Sequence, residues 1–350
     1  PKTAQRKSYL LNKGNYLLKG DEVVAGVPAA FPPLPAGRAA DRRALAEWLL
    51  DPRNPMTARV AVNRLWARVF GKGLVETEED FGIQGEPPSH PELLDWLATE
   101  YRANGWDAKE LLRRIVTSAT YRQSSRTTPE TIEKDPRNRW LARAPRQRLE
   151  AEMVRDQALA LAGLLSPKIG GPSVFPPQPD GLWQAAFNGQ RTWSTSMGED
   201  RYRRAIYTFW RRTIPYPSMA TFDAPSRETC TLRRSSTNTP LQAFVTLNDP
   251  VYVEAAQALA RRLIREGGAT TAKRAEFGLR LATLREPKPE QTAALVRLAE
   301  TELERQRRDP AAARKLAAAA GAKDEEAAVA AAWTVVANAL LNLDAVLTKG

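Results

Sequence analysis

The chain has 350 residues, 43% apolar and 26% charged, and its 52 Lys and Arg against 40 Asp and Glu give a formal net charge of +12. This is the make-up of a soluble globular protein with enough apolar material for one large or two ordinary domains. A single cysteine, Cys230, excludes an internal disulfide framework, and with one histidine, His90, it is too little for a structural zinc site. There is no C-x-x-C-H run to attach haem, and no apolar run approaches the roughly 18 residues of a membrane-spanning helix.

The basic residues are mostly Arg, spread along helical patterns with Glu and Asp between them. That distribution fits a solvated basic face or one that meets an anionic ligand. It lacks the clustered basic and aromatic residues of a nucleic-acid surface. The N-terminus, PKTAQRKSYL, has no apolar signal core, and a start on Pro is expected of a segment from a longer chain.

Residues 1–37 read as an extended lead-in with one short hairpin around NYLLKGDEV and a Pro/Gly-rich end. Residues 38–126 read as an N-terminal helical subdomain of four helices. RAADRRALAEWLLD places Leu45, Trp48 and Leu49 on one face. Asn54-Pro55 opens the next helix and Gly71 closes it. Ser89 and Glu92 have capping-box spacing, which puts His90 in a first turn, and Gly105 ends that helix. Asp107 and Glu110 open AKELLRRIVTSATYRQS in the same way.

Residues 127–250 read as a central loop-rich region holding the candidate site. After a polar break at 124–138, RQRLEAEMVRDQALALAGLLS has helical periodicity. Glu152 and Asp156, four apart, share a face as a carboxylate pair would, but nearby Arg148 and Arg155 favour a salt-bridged face. Residues 166–200 are irregular and rich in Gly, Pro and Trp. Trp183 and Trp193 there either stack on a sugar ring or pin the loop to the core, with pinning preferred. YRRAIYTFWRRT reads as a strand by its aromatic and β-branched content.

The stretch TCTLRRSSTNTPLQAFVTLNDP, from Thr229 to Pro250, holds two consecutive helix starts, Thr239-Pro240 and Asp249-Pro250. Arg233, Arg234, Thr237, Asn238, Thr239 and Gln242 gather around the first, where free N–H groups and the positive dipole end suit an anion. Asp223 is a weak candidate acid/base. The alternative is that these groups satisfy their own turn, with the arginines paired to Asp223 and Glu228. Cys230 beside arginines has the setting of a lowered thiol, but no histidine lies near to serve as its base. Residues 251–350 read as a C-terminal helical region, with an Ala-rich helix over 310–332 and a buried last helix, AAWTVVANALLNLDAVLT. The expected fold class is mainly α: a multi-helix array with long irregular loops and at most a few short strands.

Several blocks carry a resemblance. LLDPRNPMTARVAVNRLWARVFGKGLVETEEDFGIQGEPPSHPELLDWLA, VTSATYRQSS, RQRLEAEMVRDQALALAGLLSPKIGGPSV, YTFWRRT, FDAPSRETCTLRRSSTNTPLQAFVTLND and LLNLD resemble, in order, the blocks of a large bacterial domain family of unknown function, numbered fifteen fifty-three. The ending LDAVLTKG departs from that family's acidic-aromatic ending. The resemblance carries no catalytic residues. It implies a planctomycete-type exported protein whose parent chain bears a c-type cytochrome domain upstream, linked to polysaccharide breakdown or electron transfer, with no cofactor in this segment. Two functional expectations follow. One is a module that binds or processes an anionic or carbohydrate ligand near Arg233, Arg234 and the tryptophan loop. The other is a non-catalytic helical scaffold that docks a cytochrome domain or surface partner.

Overall fold

The computed structural model describes residues 7–183 and 192–350. It divides into two compact units, Pro1–Ala144 and Pro145–Gly350. Helix dominates both, and among the described residues the strands form only two short two-stranded sheets.

The first unit opens with an antiparallel hairpin of β1 (Ser8–Leu11) and β2 (Lys19–Val23). Helices α1 (Arg42–Leu50), α2 (Met56–Phe70), α3 (Pro91–Ala103), α4 (Ala108–Thr117), α5 (Ala119–Arg122) and α6 (Pro129–Lys134) follow. Side-chain oxygens set several starts: Asp41 accepts from Arg43 and Ala44, and Asp107 accepts from Lys109 and Glu110. Asn54 Oδ1 accepts from the Met56 N–H at 3.0 Å. Gly71, at φ 79°, closes α2 in the left-handed region that Gly enters without penalty. Val62, Trp66 and Phe70 of α2, Leu94 and Leu97 of α3, and Leu111 and Ile115 of α4 form the core.

Three expectations are corrected in this unit. Leu45 and Leu49 are exposed, and α1 instead buries Ala44 and Trp48, whose indole donates to the Pro32 carbonyl at 2.6 Å. The Ser89–Glu92 capping box does not form. Pro91 takes the first helical position, so His90 is the cap residue, and its Nδ1 meets Ser89 Oγ at 3.0 Å. The polar break at 124–138 contains α6, started by a reciprocal pair between Thr128 and Thr131.

A buried asparagine locks the turn after α2. Asn63 accepts from the Val75 N–H at 2.9 Å and donates to its carbonyl at 3.0 Å. This contact brings Gly73 so close that an added Cβ would lie 2.4 Å from the Val75 carbonyl oxygen.

The second unit contains β3 (Gln147–Arg148), α7 (Ala151–Leu161), α8 (Pro217–Thr221), α9 (Pro240–Asn248), α10 (Pro250–Glu266), α11 (Thr271–Thr283), α12 (Pro289–Arg308), α13 (Pro310–Leu316), α14 (Asp324–Leu341), α15 (Asp344–Leu347) and β4 (Thr348–Lys349). The expected buried last helix is α14. It is apolar all round because α10, α12 and α13 pack against it. Pairing of β3 with β4 ties the C-terminal end to the start of the unit.

Here too some expectations change. The helix expected from 146 starts at Ala151, since Gln147 and Arg148 are taken by the pairing with β4. YRRAIYTFWRRT is no strand. It makes 3-10 turns at Gly198–Tyr202 and Ala205–Tyr207 and isolated bridges at Arg203, Thr208 and Arg211. The Ala-rich stretch 310–332 breaks between α13 and α14, where Ala318 adopts φ 50°.

Because the Cβ of alanine at position 73 would meet backbone and a locked asparagine, Gly73→Ala should cost about 3 kcal/mol. The expected outcome in chemical denaturation is a lower midpoint with an unchanged slope.

A candidate functional site around the start of α9

The candidate side chains fall into three groups. The first lies at the junction of α7, α8 and α9. Arg234 lays its fork on Glu152, with Nη1–Oε2 at 2.7 Å and Nη2–Oε1 at 3.2 Å, and Glu150 stands 3.2 Å from the same Nη1. Glu150 is the cap position of α7 and Glu152 lies in its first turn, where the helix dipole also favours carboxylates. Burial pushes the Glu152 carboxyl up, but the hydrogen bonds and charge of Arg234 outweigh it and hold the group below its ordinary value of 4.5.

Beside this pair, Asp223 sits at φ 63°. Its carboxylate accepts from the Thr237 N–H at 2.7 Å and from the Thr237 hydroxyl at 2.8 Å. Gln242 is fully buried. Its amide donates to the Thr221 carbonyl and the Thr237 hydroxyl, both at 3.1 Å, and its oxygen accepts from Arg148 Nε at 3.0 Å. Thr239 is the cap residue of α9 but makes no side-chain cap bond, whereas Asp249 does cap α10. The expected pairing of the arginines with Asp223 and Glu228 is replaced: Arg234 takes the α7 carboxylates, and Thr237 takes Asp223. Among the described residues neither Arg233 nor Asn238 has a hydrogen-bond or ion-pair partner, and both are exposed, as is Cys230.

The second group is aromatic. Trp183 is buried, and Trp193 is part-buried, with ring centroids 5.4 Å apart. Trp193 donates to the Pro176 carbonyl at 2.7 Å and packs against Phe175 and Tyr216. The structure thus uses these rings to hold the loop to the core.

The third group was not recognisable as a unit from sequence. Arg155 and Arg203 are each 1% exposed. Arg155 donates to the carbonyls of Arg203 at 2.7 Å and Arg201 at 3.1 Å. Arg203 donates to the carbonyls of Pro172 and Gly170 and stacks 3.8 Å from the Tyr207 ring centroid. The expected carboxylate face of α7 is likewise salt-bridged, but by distant partners. Asp156 meets Arg204 at 3.4 Å and accepts from the Ala205 N–H at 2.6 Å. Nearby, burial pushes the Asp249 carboxyl up to about 6, against the Val251 N–H bond and the Arg155 charge.

Arg148, Glu150 and Thr221 complete the first group, yet none stands out as part of the site from sequence. Their contacts to Gln242 and Arg234 span long stretches of chain and leave no local spacing signal.

A model of the PSD1 family, described as a protein of unknown function (DUF1553), matches residues 41–299. The chain belongs to that family. The PSD1 match includes every candidate residue from Trp183 to Gln242. No curated protein and no solved structure matches the chain.

Two carboxylates of this PSD1 chain should show opposite pH signatures. Glu152 is depressed, so its contribution is full above pH 4.5 and is lost as pH falls through the lower folded value. Glu152→Gln should therefore cost about 1–3 kcal/mol near neutrality, and the deficit should close in acid. Asp249 is raised from 3.8 to about 6, so the folded state holds its proton more tightly and wild-type stability falls as pH rises across that window. Asp249→Asn keeps a cap acceptor and avoids that loss. Relative to wild type it should gain about 2–3 kcal/mol between pH 4 and pH 7, read by denaturation at each pH.

Proposed function

We propose that this PSD1 chain is a non-catalytic helical docking scaffold. The observation that supports it is the pairing of the candidate site with itself. Arg234 is held by Glu152 and Glu150, Asp223 by Thr237, and Gln242 by three partners. A general acid or base needs a lone pair or proton aimed at substrate, and Asp223 instead closes a turn. These bonds fix the loop that leads into α9, which is the task of a support for a recognition surface. The family resemblance suggests the kind of partner: a c-type cytochrome domain of the same parent chain, or a surface partner, in an exported protein.

The exposed, unpartnered Arg233 and Asn238 support a second reading, in which they take an anionic or carbohydrate ligand. A thermal-shift series with sulfated, carboxylated and neutral sugars, run on wild type and Arg233→Ala, separates the two. The scaffold reading expects no sugar to raise Tm and Arg233→Ala to melt with wild type, while Glu152→Ala melts several degrees lower. Stabilisation that disappears in Arg233→Ala would replace the scaffold with a ligand-binding module.

A further inference from the structure

Helix α9 is built with its polarity reversed. Its large apolar side chains face outward: Leu241 is 66% exposed, Phe244 61% and Leu247 42%. Its inward face carries Gln242 and Thr246, 0% and 1% exposed, beside the part-buried Val245 that packs on the core. An ordinary surface helix buries its apolar stripe and shows its polar one. Here the inner polar side chains are bonded into the protein. Gln242 meets Arg148, Thr221 and Thr237, and the Thr246 hydroxyl lies 2.9 Å from Asn342 Oδ1.

We infer that the outward face of α9 docks a protein partner that offers an apolar groove bordered by acidic side chains; this rests on the scaffold reading above. Leu241, Phe244 and Leu247 recur every three residues, the pattern of anchors on a helix laid into a groove. The charge argument selects the partner. A net charge of +12 sets two copies of this chain against each other. The loop that leads into α9 adds exposed Arg227 and Arg233 against one exposed acid, Glu228. An acidic border complements both. An anionic membrane is the other class of surface that takes an apolar helix face. Helices that lie on such membranes carry Lys and Arg along the polar side, and PLQAFVTLN has neither.

The test uses the full chain with benzoylphenylalanine in place of Phe244, irradiated in the cells that naturally produce it. The adduct is identified and mapped by mass spectrometry, and the captured protein is then purified and titrated against the chain at low and high salt. The expected result is one protein adduct, mapped to an apolar groove flanked by Asp and Glu. Leu241→Glu should weaken the purified complex about tenfold or more, and so should added salt. Leu241→Glu should keep the wild-type Tm because the side chain is exposed; should it misfold, Phe244→Asp provides the same comparison. No adduct, or an adduct on a basic or flat polar surface, overturns the inference. So does co-sedimentation with phosphatidylglycerol–phosphatidylcholine vesicles that Leu241→Glu abolishes. An adduct from a probe at position 233 but none from 244 would end this inference and leave the scaffold standing. Sugar-dependent stabilisation through Arg233 would end the scaffold reading itself.

Discussion

The second unit depends on a buried arginine that serves backbone rather than charge. Between α7 and α8 the described residues include isolated bridges and short 3-10 turns that pair some of the peptide groups. Carbonyls buried in such a segment need donors from elsewhere. Arg155 supplies them from the rigid frame of α7, reaching the carbonyls of Arg201 and Arg203. Arg203 passes the support on to Gly170 and Pro172. Only Arg offers a planar fork of five donors that stays charged when buried. Burial does lower the Arg155 pKa, opposed by the field of Tyr216, Tyr252, Asp156 and Asp249. The arrangement has a cost, because among the described residues the Nε of each arginine lacks a partner.

The same device recurs at the start of α9. The chain from Ala224 to Thr239 has no regular structure and is largely exposed. Its holds include the Trp210 indole on the Ser226 carbonyl, Arg234 on the α7 carboxylates and Thr237 on Asp223. The last two come from residue types that a catalytic site would also use. What separates the cases is whether a group is engaged within the fold. Asp223 and Arg234 are, and Arg233 has no hydrogen-bond or ion-pair partner among the described residues. The neighbouring residues Arg233 and Arg234 therefore have different parts, one facing solvent and one facing Glu152.

The helical character, the caps at Asp107 and Asp249, and the buried α14 were legible in the sequence because each is a local matter of periodicity or of an oxygen beside a free N–H, whereas α2 starts one residue later than expected, at Met56 with Pro55 as its cap. The corrected features share a cause: a distant partner overrides a local preference. Gln147 and Arg148 have helical periodicity, yet β4 takes them as a strand. Tyr207 to Phe209 have strand composition, yet they lie along Val174 as a single bridge, with the Phe209 ring stacked on Phe175 and the Tyr207 ring under Arg203. In α1 the choice between Ala44 and Leu45 turns on where Pro32 and Phe31 place the Trp48 ring. The candidate site was legible as a cluster of residue types. Its bonding was not, because Glu152 and Arg148 come from a helix start and a strand far from Arg234 and Gln242 in sequence.

The reversed helix α9 shows why this matters energetically. Rolling α9 to bury Leu241, Phe244 and Leu247 would return about 1.5–3 kcal/mol for each side chain. The same roll would strand Gln242 and Thr246 and break the bonds from Asn338 to the Thr246 and Leu247 carbonyls, at about 1–3 kcal/mol for each group left unpaired. The two sums are similar. The apolar face stays outside because the bonds that Asn338 and Asn342 make to α9 oppose the roll, and Asp249, which ends α9 and caps α10, fixes the helix at its far end. A partner that covers the outer face recovers the apolar contribution without breaking one of those bonds. The buried polar side of α9 therefore holds three apolar side chains at the surface, which is what the proposed docking requires.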